Sequence, residues 1–246
     1  MSSAPARDLT SRLVRRERLV VTGGIALLAL LCWWYLLAAK ADGSGMAAMN
    51  GPPFSALVLM WWLMMVAMML PSASPAILLY GRVRQIRRRD PGIADTWVFL
   101  AGYVGVWLVF SVAAALAQRL AANSSMVGEN RIAEGALLLA AGFYQLSPLK
   151  NACLAECRSP AEFISRHWRP GARGAVLLGV RHGLYCLGCC WTLMTLLFVG
   201  GVMNFVWIVG LTLIVAAEKL APRGVIIGKV AGVAFAAWGI AKLAGY

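Results

Sequence analysis

Carboxylates are scarce in this chain. Its 246 residues hold 10 Asp and Glu against 23 Lys and Arg, with two histidines. A carboxylate-based proton pump needs acidic groups within its membrane segments, and the apolar runs here are nearly free of them. Long polar stretches are also lacking, and no segment between apolar runs is long enough to fold as a soluble domain. There is no Walker A loop, no GxGxxG turn, no HExxH pair and no repeat at solenoid period. Nucleotide-cradling and metalloprotease chemistry are thereby excluded, and no catalytic or organic-cofactor residue is assigned.

What is present is apolar. The chain is 61% hydrophobic with a mean hydropathy of +0.73, well beyond a soluble domain. The runs are as long as helical spans and lack the period-two alternation of barrel strands. The expected class is an all-α, polytopic transmembrane bundle in an inner cell membrane, with the lipid bilayer as its first partner. The formal charge of +13 does not indicate nucleic acid, because the basic residues cluster in connections between apolar runs. That distribution is the positive-inside bias.

Seven spans follow in order, with the N-terminus in the cytoplasm. Residues 1–18 form a basic cytoplasmic arm carrying Arg7, Arg12, Arg15, Arg16 and Arg18, and 19–246 form a single transmembrane domain. Leu19–Ala39 reads as an uncleaved first helix; the alternative, a signal sequence cut near Ala39-Lys40-Ala41, is disfavoured by the membrane segments that follow. Lys40–Pro53 is placed outside. Phe54–Tyr80 runs inward to the Arg82–Arg89 cluster, Thr96–Gln118 outward, and Ile132–Leu146, short for a span, inward again. A cytoplasmic connection at 149–173 precedes Ala175–Val199, Val202–Ala217 and Val225–Ala244. In the last, Gly228, Gly232 and Ala236 make a small-residue stripe suited to packing within the chain or to oligomerisation.

The residues with the most chemistry lie in Arg181-His182-Gly183-Leu184-Tyr185-Cys186-Leu187-Gly188-Cys189-Cys190-Trp191. At about 100° per residue, His182, Cys186, Cys189 and Cys190 fall within an arc of roughly 100°. An imidazole and three thiols on one face form a soft donor set of the kind that suits Cu(I) or, less well, Zn(II). The competing reading is that cysteine is a small hydrophobe and is simply buried; Gly183 and Gly188 are positions where a bend would break the shared face.

Two further groups join it. Met60, Met64 and Met68 lie on one face of the second span, with Met65 and Met69 on the adjoining one. Thioethers at this spacing bind Cu(I) or fill core gaps. Pro71 and Pro75 free the carbonyls of Ala67 and Pro71, which Ser72 and Ser74 can satisfy. Cys153 and Cys157 would share a helical face beside Lys150 and Arg158, which favour the thiolate. Arg181 reads as snorkelling, Glu218-Lys219 as an interfacial pair, and His167 as a surface residue.

These stretches carry a resemblance. Met-Trp-Trp-Leu-Met-Met-Val-Ala-Met-Met-Leu-Pro (60–71), Tyr-Gln-Leu-Ser-Pro-Leu-Lys-Asn-Ala-Cys-Leu (144–154) with Cys-Arg-Ser-Pro (157–160), and the 181–191 motif resemble the predicted metal-binding integral membrane protein family, also called DUF2182. The resemblance spans roughly residues 50–220 and implies a metal site at these Cys, His and Met positions without naming the metal. Copper(I) transport, sequestration or delivery is the leading function, with a metal-donor or metal-acceptor protein as partner. A membrane thiol–disulfide oxidoreductase is the second, weakened by cytoplasmic cysteines and by adjacent Cys189 and Cys190, which are poorly placed to bridge each other. A membrane scaffold or assembly factor with incidental cysteines is the third.

Overall fold

The computed structural model describes residues 4–41, 53–88, 93–123 and 131–245, with side chains at 19–38, 53–87, 93–121 and 131–245. The expected external connections at 40–53 and 119–131 fall largely outside these residues. So do the side chains of the N-terminal arginines and of Arg88 and Arg89. Ten helices occupy the described residues: α1 Ala4–Ala41, α2 Phe54–Arg88, α3 Ile93–Asn123, α4 Arg131–Leu146, α5 Pro148–Arg158, α6 Pro160–His167, α7 Gly171–Thr195, α8 Leu197–Gly200, α9 Phe205–Leu220 and α10 Gly224–Leu243. No strand occurs among them.

Five helical stretches are long and apolar enough to cross a membrane, within α1, α2, α3, α7 together with α8, and α10, or six if the bent pair α4–α5 is one broken span. The sequence led us to expect seven. The shortfall has a plain cause: α4 and α9 are 16 residues each, about 24 Å of helix against a hydrocarbon core of about 30 Å. The basic arm is helical rather than irregular, continuous with the first span. Pro5 sits in its first turn, where a missing N–H costs nothing.

Prolines set the breaks around 147–160. Ser147 precedes Pro148 and is held extended (φ −71°, ψ 147°), as a residue before proline must be; its hydroxyl then accepts from the Lys150 N–H at 3.2 Å to cap α5. The chain turns by 63° between α4 and α5. Pro160 stands in the first turn of α6, where Ser159 before it (φ −117°, ψ 61°) makes no side-chain cap. The connection at 149–173 is therefore two short helices folded against α7 and α2, not an irregular loop.

Two helix pairs pack most closely, α3 against α7 and α4 against α10. Gly179 makes the first possible, since a Cβ there would stand 2.0 Å from the Phe99 carbonyl oxygen. Gly142 makes the second, with a Cβ 2.7 Å from the Gly232 carbonyl. The stripe Gly228–Gly232–Ala236 is thus filled within the chain, by α4 and by the Glu218 and Lys150 side chains. Arg84 Nε donates to Asp95 Oδ2 at 2.6 Å and ties α2 to α3.

Candidate metal centre

The α7 helix is continuous through Gly183 and Gly188, so the shared face survives. Leu178, Gly179, His182, Gly183, Cys186, Cys189, Cys190 and Leu193 are buried, while Leu177, Arg181, Leu184 and Trp191 are exposed. This is the helical period, and it turns the imidazole and three thiols inward. Gly188 has a role opposite to the feared one. A Cβ there would lie 2.8 Å from Cys153 Sγ, so its bareness admits the α5 cysteine against α7.

Cys157, one turn further along α5, is half-buried and packs against the same core as Cys186, Cys189 and Cys190. Cysteines of two helices therefore face one core, with Cys186, Cys189 and Cys190 inside it and Cys153 and Cys157 half-buried at its edge. Cys32, the sixth, is buried on α1. The α2 helix supplies a thioether to this group, from Met69: its Sδ is 3.7 Å from Cys190 Sγ. Met60, Met64 and Met68 are all buried in the same core, but the sulfur that meets a thiol belongs to the adjoining methionine face.

The proline-interrupted stretch of α2 lies beside the thiols. The helix runs through Pro71 and Pro75. Ser74 Oγ donates to the freed Pro71 carbonyl at 2.8 Å, as expected, whereas Ser72 Oγ donates to Met69 O at 2.9 Å. Tyr103 of α3 places its hydroxyl 3.5 Å from Met69 O and 3.1 Å from Cys186 Sγ.

The Glu218-Lys219 pair, read in the sequence as interfacial, is buried within the bundle. Both side chains are buried, 1% and 7% exposed, and they face different networks. Glu218 accepts from Lys150 Nζ at 2.6 Å and from Gln145 Nε2 at 2.7 Å, and Lys150 also donates to Gln145 Oε1. Lys219 turns the other way, its Nζ 3.0 Å from Cys186 Sγ and 3.4 Å from Ser72 Oγ. A pair at a helix end after an apolar run looks like a boundary. Only the presence of α5 and α7 outside it reveals the burial.

His182 sits among Phe99, Tyr103 and Phe163, with ring centroids at 6.1, 5.7 and 5.2 Å. Its Nδ1 is buried without a hydrogen-bond partner. His167 is half-buried, with Nδ1 3.0 Å from Phe163 O. Among the described residues no group of three or more His, Cys, Asp or Glu side chains stands ready to hold a metal ion. The thiols of Cys189 and Cys190 are turned back on their own helix, 3.1 and 2.9 Å from the Cys186 carbonyl. The donor types nevertheless suit a soft ion: thiols, a thioether and an unpartnered imidazole nitrogen, while the buried Glu218 carboxylate is bonded to Lys150 and Gln145.

A family model described as PpoB2, copper chaperone, matches residues 58–242. That range contains α7, α5 and most of α2, and so all of the thiols except Cys32. The match supports a copper-related family without bearing on the DUF2182 name. No curated protein and no solved structure matches the chain.

Proposed function

Because the chain belongs to the PpoB2 family of copper chaperones, we propose that it carries Cu(I) as cargo within a membrane bundle and delivers it to an acceptor protein. The observation that carries this reading is the packing of Cys157, Cys186, Cys189 and Cys190 into one core with the Met69 thioether, whose Sδ lies 3.7 Å from Cys190 Sγ. Rotation of the Cys189 and Cys190 thiols away from the Cys186 carbonyl would present them to an ion. His182 is a further ligand through its unpartnered Nδ1. Met60, Met64 and Met68 line the approach through α2, and Cys153, half-exposed beside Gly188, is the point of handover. Thioethers bind Cu(I) more weakly than thiolates, so this order favours movement toward the cysteines.

The same reading gives seven crossings with a cytoplasmic N-terminus, α4 and α9 being short crossings. The cluster Arg82, Arg84 and Arg87 lies on the cytoplasmic side under the positive-inside bias. Cys153 then faces the reducing compartment, which favours metal handling over disulfide exchange. A partner copy would have to dock on a face other than the filled Gly228–Gly232–Ala236 stripe.

Metal analysis of the purified chain, loaded with copper under reducing conditions, tests this directly. Stoichiometric Cu(I) is expected in the wild type and its loss in Cys186→Ser or Cys189→Ser. Binding should weaken at acid pH, because protons compete for thiolates and imidazole. A wild type that takes up no copper would refute the proposal. A trapped mixed disulfide in the single-cysteine variants, with no metal, would instead favour thiol exchange. A membrane-impermeant thiol reagent should reach Cys153 in inverted vesicles and miss it in intact cells.

A further inference from the structure

We propose that α5 is a hinged strap over the thiols of α7, latched on Glu218, and that Cu(I) enters and leaves through the seam between α5 and α7. The inference rests on the reading of the chain as a Cu(I) carrier. Cys186, Cys189 and Cys190 are at most 1% exposed, so an ion reaches them only when a covering element moves. Two helices pack most closely on α7. One is α3, seated by direct backbone approach at Gly179 and at Gly102. The other is α5, which has 11 residues and fully buries only Lys150 and Leu154. Displacing α5 therefore exposes less apolar surface than displacing α3. Its seam with α7 also reaches the surface, because Gly188 and Cys153 are both half-buried where they meet.

The ends of α5 are broken and its ties are polar. Pro148 and Pro160 interrupt the helical ladder on either side, since proline supplies no N–H. The ties converge on one residue of α9. The Glu218 carboxylate accepts from Lys150 Nζ at 2.6 Å, and the Glu218 carbonyl accepts from Arg158 Nη1. Pro222, four residues on from Glu218, has no N–H to offer that carbonyl. The guanidinium takes its place, and Nη2 donates to Pro222 O at 3.1 Å. Gly224 makes room for it: a Cβ there would meet both Arg158 Nη1 and the Glu218 carbonyl. The tie to Pro222 lies at the surface, where water can replace it as α5 lifts.

The test uses the full chain in detergent and follows Cu(I) uptake and release by stopped flow with a chromophoric chelator. A Cβ at Gly188 would lie 2.8 Å from Cys153 Sγ and 3.5 Å from Cys153 Cβ. That suits a disulfide, whose Cβ atoms stand about 3.5–4.5 Å apart. Gly188→Cys is therefore closed onto Cys153 with oxidised glutathione before loading, with peptide mass mapping to show the other thiols free. Each rate scales with the open fraction, so uptake and release should both slow by about tenfold or more and recover on reduction. Cys153→Ser loses the same thiol without the staple and should exchange faster than the stapled protein. Arg158→Lys keeps the charge but cannot fork between two carbonyls; uptake and release should both quicken by about threefold or more and stay in proportion. A merely structural arginine would quicken release alone. A stapled protein that exchanges copper as fast as its reduced form overturns the inference while leaving the Cu(I) reading intact. If the staple does not form, Arg158→Lys decides, and unchanged rates overturn the strap. Failure of the wild type to bind Cu(I) overturns the parent reading instead.

Discussion

Cys190 and Met69 are 121 residues apart in the chain, yet their sulfur atoms lie 3.7 Å apart in the core. This thiol–thioether contact joins the methionine helix to the cysteine helix through their soft atoms. It makes Met69, rather than Met60, Met64 or Met68, the methionine whose removal should matter most. Met69→Leu approximately conserves volume, so apo stability should fall by less than about 1.5 kcal/mol. Transfer of Cu(I) to an external chelator should change in rate, and by more than in Met60→Leu, whose equally buried thioether lies about 14 Å away along α2. Stopped-flow transfer assays on the two variants make the comparison; equal rates would disconnect α2 from the site.

The ion pair of Lys150 and Glu218 holds α5, and therefore Cys153 and Cys157, against α9. Both side chains are 1% exposed. Removing one partner strands a buried charge and should cost about 3–5 kcal/mol, while replacing both with apolar groups should recover most of it. Thermal melting of Lys150→Met, Glu218→Met and the double variant forms the cycle that measures this. Copper loading should follow the same pattern, low in the singles and restored in the double, because the pair positions the site without ligating the ion.

The fold class and the inward face of α7 were legible in the sequence, since both are matters of run length and period. The break at Ser147-Pro148 falls between the short fourth span and the cytoplasmic connection of the sequence reading, which assigned it no role; the dipeptide specifies both the 63° turn and the cap of α5. The choice among the methionines was not legible. Five of them cover two adjoining faces of α2, and only the approach of α7 decides which face meets a thiol. Lys219 was least legible, because its neighbours in sequence mark a helix end while its neighbours in space are Cys186 and Ser72.

Two glycines on neighbouring helices should respond oppositely to the same change. At Gly179 an added Cβ would stand 2.0 Å from a backbone oxygen of α3, which cannot move aside as a flexible side chain would. Gly179→Ala should cost toward the upper end of the about 1–3 kcal/mol typical of overpacking, and should lower copper loading by prising α7 from α3. Gly105 lies within α3 and a Cβ there meets nothing within 4 Å. Gly105→Ala should stabilise by up to about 1 kcal/mol, the helix-propensity gain. Melting temperatures of the two purified variants give the signs.

His182 offers the sharpest separation of ligand from filler. Its Nδ1 is buried with no partner, and three aromatic rings surround it. A buried polar atom without a hydrogen bond costs about 1–3 kcal/mol, so exchange for an apolar side chain of similar reach relieves that cost. His182→Leu should therefore melt higher than wild type in the absence of metal. If the nitrogen serves the ion, the same variant should bind Cu(I) more weakly, so that copper raises its melting temperature less than it raises that of the wild type. Apo stability and copper stabilisation would then move in opposite directions. A core histidine with no part in binding would show the gain in apo stability alone, with an undiminished copper shift, and His182 would then be struck from the ligand set.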